Sequence, residues 1–209
     1  MRPQQARAHR TIGLTLVELM VALAVAAVLL TLAAPSFRDL ILMQRLKSIH
    51  AQLVTDLQYA RSEAVSSGAV VNVLVQDRFS GAPYTCYIIF HHFSHDYLDS
   101  GASSACECTL PAGSRCVPTD ARELRTVLVP LDSGVKLALD PLQTTQAVAF
   151  DPKTGGMVLL TDELGVVTGS SFTVTAAIDA ARSLSAVVAT SGRPRICRPT
   201  GSTLPDPEC

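Results

Sequence analysis

The sequence predicts an α+β fold in which one long N-terminal helix packs on an antiparallel β domain of two sheets. Three observations carry this reading. An unbroken apolar run fills Leu14 to Ala34, and apolar residues at helical spacing continue from it to about Ser66. Beyond Gly68 the period changes to two, in short segments parted by turn residues with no helical pattern between them. With aromatics at 5% and no Trp, the core must come from Ala, Leu and Val, which suits a helix followed by β-branched strands.

The 209 residues hold a membrane segment plus one ordinary domain. The net charge of -1 excludes any general attraction to nucleic acid or lipid, so such affinity must come from local clustering. Residues 1–13, MRPQQARAHRTIG, carry Arg2, Arg7 and Arg10 and no acid, which keeps this leader cytoplasmic and puts the rest outside. The 21 residues of Leu14 to Ala34 reach about 32 Å as a helix, just enough to span a bilayer. One acid, Glu18, interrupts the run. A carboxylate at bilayer depth costs roughly 2.5–3.5 kcal/mol, so it needs a partner or a task. A secretory signal peptide cut near Ala33-Ala34 does not fit, because the run is too long and Glu18 would damage it. A plain anchor explains the length and leaves Glu18 without a reason.

Leu40, Met43, Leu46, Ile49, Leu53, Leu57, Ala60 and Ala64 form the stripe of the second half, with Arg45, Lys47, Asp56, Arg61 and Glu63 among the polar residues. Pro35 should loosen the helix where it leaves the membrane. Ser66-Ser67-Gly68 is the stop, which makes a helix over 14–67 near 80 Å long, transmembrane at 14–34. The stripe is read as packing on the sheet of its own domain.

The β domain, 68–209, has strands at Val70–Gln76, Tyr84–His91, Arg125–Val129, Val135–Leu139 and Ala147–Phe150. A turn at Asp151–Gly156 precedes Met157–Leu160, Ser171–Ala177, Leu184–Ala189 and Arg195–Arg198. The stretch at about 77–120 is long for a connection and is read as a disulfide-pinned insertion. All six cysteines, Cys86, Cys106, Cys108, Cys116, Cys197 and Cys209, follow the apolar run. Outside the membrane they read as three disulfides, with fifteen possible pairings. Cys86 is expected to pair within the insertion. A bond between Cys197 and Cys209 is the favoured pairing, because it would stiffen a short tail containing Pro199, Pro205 and Pro207.

No metal site is assigned: Cys106-Glu-Cys108 lacks the two-residue spacing of a zinc knuckle, and His91, His92 and His95 with Asp96 read as a strand end and a solvated loop. Asp151, Asp162 and Glu163 sit in turn-rich sequence, where Asp serves the backbone. No catalytic set, phosphate loop or cofactor motif stands out, so the chain is read as a non-enzyme with no cofactor. Arg193, Arg195 and Arg198 are different. They crowd into six residues beside Gly192 and Pro194, with Arg182 upstream and no acid between Arg182 and Asp206. Arg193 and Arg195 on an extended segment would share a face and suit adjacent phosphates, whereas a solvated strand edge would carry arginine just as well.

Gly13 to Met20, GLTLVELM, resembles the signal of type IV prepilins and type II secretion pseudopilins, with Leu14 standing where the family usually has Phe. The resemblance implies that a prepilin peptidase cuts between Gly13 and Leu14 and methylates the new Leu14 amine. Glu18 would then be an assembly contact, pairing with that amine on a neighbouring pilin or pseudopilin subunit. Asp56 to Gly68, containing ARSEA, and FDPKTGG from Phe150 resemble the GspH/FimT group of minor pilins and pseudopilins, which implies a type IV pilin-like fold. Gly192-Arg193-Pro194-Arg195 matches the GRxR motif of the FimT type, linked to DNA capture in natural transformation. By that resemblance Arg193 and Arg195 contact backbone phosphates of DNA, Arg198 adds a contact, and binding is sequence-independent and salt-dependent. A GspH-like pseudopilin of type II secretion, or a FimU-like subunit that only primes pilus assembly, shares every feature except the GRPR segment.

Gly13→Ala should leave the full-length precursor in the membrane, seen as the slower band on a denaturing gel. Normal maturation of that variant would remove the cleavage assignment.

Overall fold

The computed structural model describes residues 15–77, 82–92, 106–116, 121–140, 146–161, 165–167 and 171–209, with the side chains of 32–36, 158–161 and 165–167 left aside. The chain falls into two compact units, Met1–Ile41 and Leu42–Cys209. The division lies inside the helix α1 (Leu16–Ser67), because the later turns of α1 belong to the core of the β domain. The backbone of α1 stays helical through Pro35.

In the first unit the described apolar side chains are exposed all round, Leu16, Met20, Leu23 and Leu30 among them. Such a helix has no apolar face of its own to bury. Among the described residues no helix is long and apolar enough to cross a membrane; the side chains described in this run are those of 15–31. Thr15 caps the helix: its hydroxyl oxygen accepts a hydrogen bond from the Glu18 amide at 3.3 Å.

In the second unit Leu46, Leu53, Leu57, Ala60 and Ala64 are fully buried at helical spacing, and Met43 and Ile49 pack beside them. Leu40, the first residue of the expected stripe, is exposed. The Gly68 amide donates to Ala64 O at 3.1 Å and ends the helix.

Among the described residues ten strands follow: β1 (Val70–Gln76), β2 (Tyr84–His92), β3 (Ala121–Pro130), β4 (Lys136–Leu139), β5 (Ala147–Phe150), β6 (Met157–Thr161), β7 (Gly165–Val167), β8 (Ser171–Ala177), β9 (Ser183–Ala189) and β10 (Pro194–Cys197). They form a six-stranded sheet in the order β3-β2-β1-β5-β6-β7 and a four-stranded sheet in the order β10-β9-β8-β4, with every pairing antiparallel. The main core lies between α1 and the two sheets, with Val71, Val73, Val148, Phe150, Phe172, Val174 and Val188 buried in it.

The insertion explains why β1 and β2 are buried on both faces. Cys86 is bonded to Cys108, and Cys106 to Cys116. These bonds lay the segment over the outer face of the large sheet, where Leu74, Ile88 and Phe90 form a second small core with the half-cystines. Gln76 holds it in register, its side chain donating to Cys106 O at 3.3 Å and accepting from the Cys108 amide at 3.0 Å. His91 ends the expected strand and His92 extends it by one residue, and both are buried; His91 lies 3.3 Å from a Glu63 carboxylate oxygen. His95, Asp96, Asp162 and Glu163 lie outside the described residues.

Two departures from the sequence reading have physical reasons. Strand β3 starts at Ala121 rather than Arg125, because a bulge opposite Ile89 and Phe90 inserts Leu124 and breaks the period of two. Strand β7 has three residues, too few for a periodic signal.

A buried acid ties α1 to the large sheet. Asp56, 1% exposed, accepts the Tyr87 hydroxyl at 2.6 Å and pairs with Arg125 at 2.9 Å. Burial, and then the bond to Asp56, push the Tyr87 pKa above its ordinary value, so the hydroxyl stays a donor. Asp56→Ala strands both partners and should cost about 3 kcal/mol, the low end for a broken buried pair because Arg125 is partly solvated. Urea unfolding that moves by less than about 1 kcal/mol would show that the network contributes little.

Candidate nucleic-acid interface

The arginine segment begins at the turn between β9 and β10. The Gly192 amide donates to Ala189 O at 2.8 Å and closes that turn. Gly192 is buried with φ +74°, and a Cβ at this position would overlap the carbonyl oxygen of Gly155. Both the left-handed backbone and the close approach therefore require glycine here.

The partner carbonyl belongs to the turn between β5 and β6. Asp151 anchors that turn: one of its carboxylate oxygens accepts from the Lys153 amide at 3.0 Å and from the Thr154 amide and hydroxyl at 2.8 and 2.9 Å. Burial alone would raise the Asp151 pKa, but the hydrogen bonds from Thr154 and Lys153 outweigh it and hold the carboxyl below its ordinary value. Asp151 is thus a turn residue. The Gly155 amide donates to Asp151 O at 2.8 Å, and the Met157 amide to Thr190 O at 3.0 Å, which fastens the hairpin of the large sheet to the β9–β10 turn of the small one. From α1, Arg61 donates through Nε to Gly155 O at 2.9 Å.

Beyond this corner the two arginines emerge. Arg193 precedes β10 and Arg195 lies on it; both are exposed. Strand β10 is an edge of the four-stranded sheet. Arg195 is opposite Val187, which is opposite Thr173. Phe172, Val174 and Ala176 point into the core, so Thr173, Val187 and Arg195 form a row on the outer face. A groove of about 380 Å³ lies on this face between Thr173, Thr175, Ser185 and Val187 and the tail residues Pro199, Thr200 and Cys209. Among the described residues neither Arg193 nor Arg195 makes an ion pair or a side-chain hydrogen bond. Two exposed, permanently charged forks of this kind suit phosphate or carboxylate oxygens.

Arg198 has a different setting. Its Nε donates to Asp206 O at 3.0 Å and a terminal nitrogen to Ser202 O at 2.9 Å, while Glu208 lies 3.6 Å away. Its backbone also pairs with the tail: its amide donates to Pro207 O at 2.8 Å and its carbonyl accepts from the Cys209 amide at 3.0 Å. The Cys197–Cys209 disulfide closes the same loop. Arg198 therefore organises the tail that backs Arg195. Arg182 pairs with Asp179 at 2.6 Å.

Gly13 and Leu14 lie outside the described residues. Glu18 is exposed in the first turn of α1, where the helix dipole favours an acid. The capping pattern Thr15-x-x-Glu18 is legible in the sequence and supplies a local reason for Glu18 beside assembly. The structure thus gathers Gly192, Arg193, Arg195 and Cys197 at one edge and keeps Arg198 within the tail.

Residues 51–192 match the family model described as Type II transport protein GspH, and residues 9–34 match the prokaryotic N-terminal methylation motif. Two crystal structures of the type IV minor pilin FimU of Pseudomonas aeruginosa are similar to the chain. One has 15% identity and a TM-score of 0.43, covering 77% of this chain and 98% of that one. The other has 17% identity and a TM-score of 0.44, covering 78% and 93%. No curated protein matches the sequence.

Gly192→Ala should destabilise the protein by about 3 kcal/mol, from left-handed strain plus the overlap at Gly155. At this size that lowers the melting temperature by roughly 6–12 °C. A melting temperature within about 2 °C of the parent would show that the turn relaxes freely and that the glycine serves another purpose.

Proposed function

Because the chain belongs to the GspH family, whose model covers residues 51–192, we propose that it is a minor pilin of the FimT type that binds DNA through Arg193 and Arg195. In this reading a prepilin peptidase cuts after Gly13 and methylates Leu14. The run from Leu14 to Ala34 anchors the precursor in the inner membrane as a single span, with the leader cytoplasmic and the β domain periplasmic. The all-round apolar surface of the first unit supports this, since it needs lipid or neighbouring helices to cover it. In the filament Glu18 pairs with the Leu14 amine of an adjacent subunit, and the other pilins or pseudopilins are its partners. The role is one of structure and binding, with no cofactor.

The observation that carries the DNA reading is the pair of exposed arginines, Arg193 just before the edge strand β10 and Arg195 on it, neither of which makes an ion pair among the described residues. Two such contacts bind phosphates without reading bases, and the scarcity of aromatics on that edge leaves no stacking platform. The family description itself names type II transport and favours a second reading, a minor pseudopilin that binds other subunits through its head.

DNA mobility shift with the full-length protein in detergent separates the two. Binding should appear at low salt, with log K falling against log salt at a slope of about -1.8 for two phosphates. Arg193→Gln with Arg195→Gln should weaken it about tenfold and remove that slope, a loss of about 1.4 kcal/mol. Absence of binding at low salt, or binding indifferent to both substitutions, would leave the pseudopilin reading in place.

A further inference from the structure

Three segments far apart in the chain meet at the Gly155 carbonyl oxygen: Arg61 on α1, the β5–β6 turn, and Gly192. The Arg61 Nε bond of 2.9 Å crosses 94 positions of sequence. The oxygen it holds is the one against which Gly192 is packed, and Arg61 Nε lies 3.2 Å from where a Gly192 side chain would begin. Arg61 is half-buried, and among the described residues it makes no ion pair. Its charge is thus directed at that carbonyl through a charge-assisted bond. Arg193 is the next residue after Gly192, so the height and tilt of this corner set where Arg193 and Arg195 point.

We infer that Arg61 is a positioning residue for the arginine segment, aiming Arg193 and Arg195 through Gly155 and Gly192 without itself touching the ligand. This deepens the DNA reading and rests on it. The Arg61 side chain contributes a planar donor at a fixed angle, which a lysine ammonium does not reproduce. Removing that donor frees the Gly155 carbonyl to move and loosens the turn packed on it, while β1 and β2 keep their own pairing.

The test uses Arg61→Met, which keeps the apolar stem and deletes the donor. Hydrogen exchange on the full-length protein in detergent is read first. We expect amides of 190–196 to exchange about tenfold faster and those of β1 and β2 to stay unchanged. Affinity for a fluorescent oligonucleotide is read second, with and without Arg193→Gln and Arg195→Gln. The Arg61 change should weaken binding about fivefold in the parent and leave the doubly substituted background unaffected, a full coupling in the cycle. Unchanged exchange at 190–196, or acceleration spread over the whole domain, overturns the inference. So does an equal loss in both backgrounds with the salt slope reduced by about 0.9, the mark of a direct phosphate contact. Should the parent not bind DNA, the DNA reading falls, and the exchange result alone decides whether Arg61 holds the segment. If Arg61→Met does not fold, Arg61→Gln, too short to reach Gly155, is read in the same way.

Discussion

The carbonyl oxygen of Gly155 is the point on which the second unit turns. A helix and two sheets have three separate hydrogen-bonding systems, and packing alone leaves each pair free to slide. Here one oxygen receives the Arg61 donor and is closed over by Gly192. Neighbouring amides join the same corner through Asp151 and Thr190. A left-handed glycine at each turn lets the two backbones approach to a distance that any side chain would prevent. The arginine segment leaves directly from that corner, so its exposure is that of side chains on a fixed base rather than on a loose loop.

The remaining organisation follows from where apolar surface is covered. The inner face of the large sheet is covered by α1 and the small sheet, and Asp56 pins the helix there through Tyr87 and Arg125. The outer face is covered by the insertion, whose two disulfides replace the hydrophobic bulk that so short a segment lacks. Among the described residues the apolar side chains of the first half of α1 are left exposed all round, and the second unit begins inside the helix and not after it.

Much of this is legible in the sequence. The exact limits of β1, β5 and β8 follow from alternation and turn residues. Cys197 and Cys209 could be matched because a short proline-containing tail lies between them. The early half of β3 could not be read, because the bulge at Leu124 puts consecutive residues on one face. His91 could be read as a strand end, yet its burial could not, because the Glu63 side chain it meets lies 28 positions away on α1. In the candidate site, Arg193 and Arg195 are visible as a cluster, yet Arg198 looks equivalent to them until its three tail contacts are seen.

The sequence by itself determined the long helix, the period-two domain, the positions of the arginines and the glycine beside them. These are local properties, written in spacing and residue type within a few turns or strand lengths. Only the tertiary structure decided that Gly192 packs on Gly155, that Arg61 reaches the same oxygen across 94 positions, and that Arg198 faces inward to the tail while its neighbours face out. The physical reason is that hydrogen-bond partners and close backbone contacts are set by which segments meet in space, and spacing along a chain carries no record of that meeting.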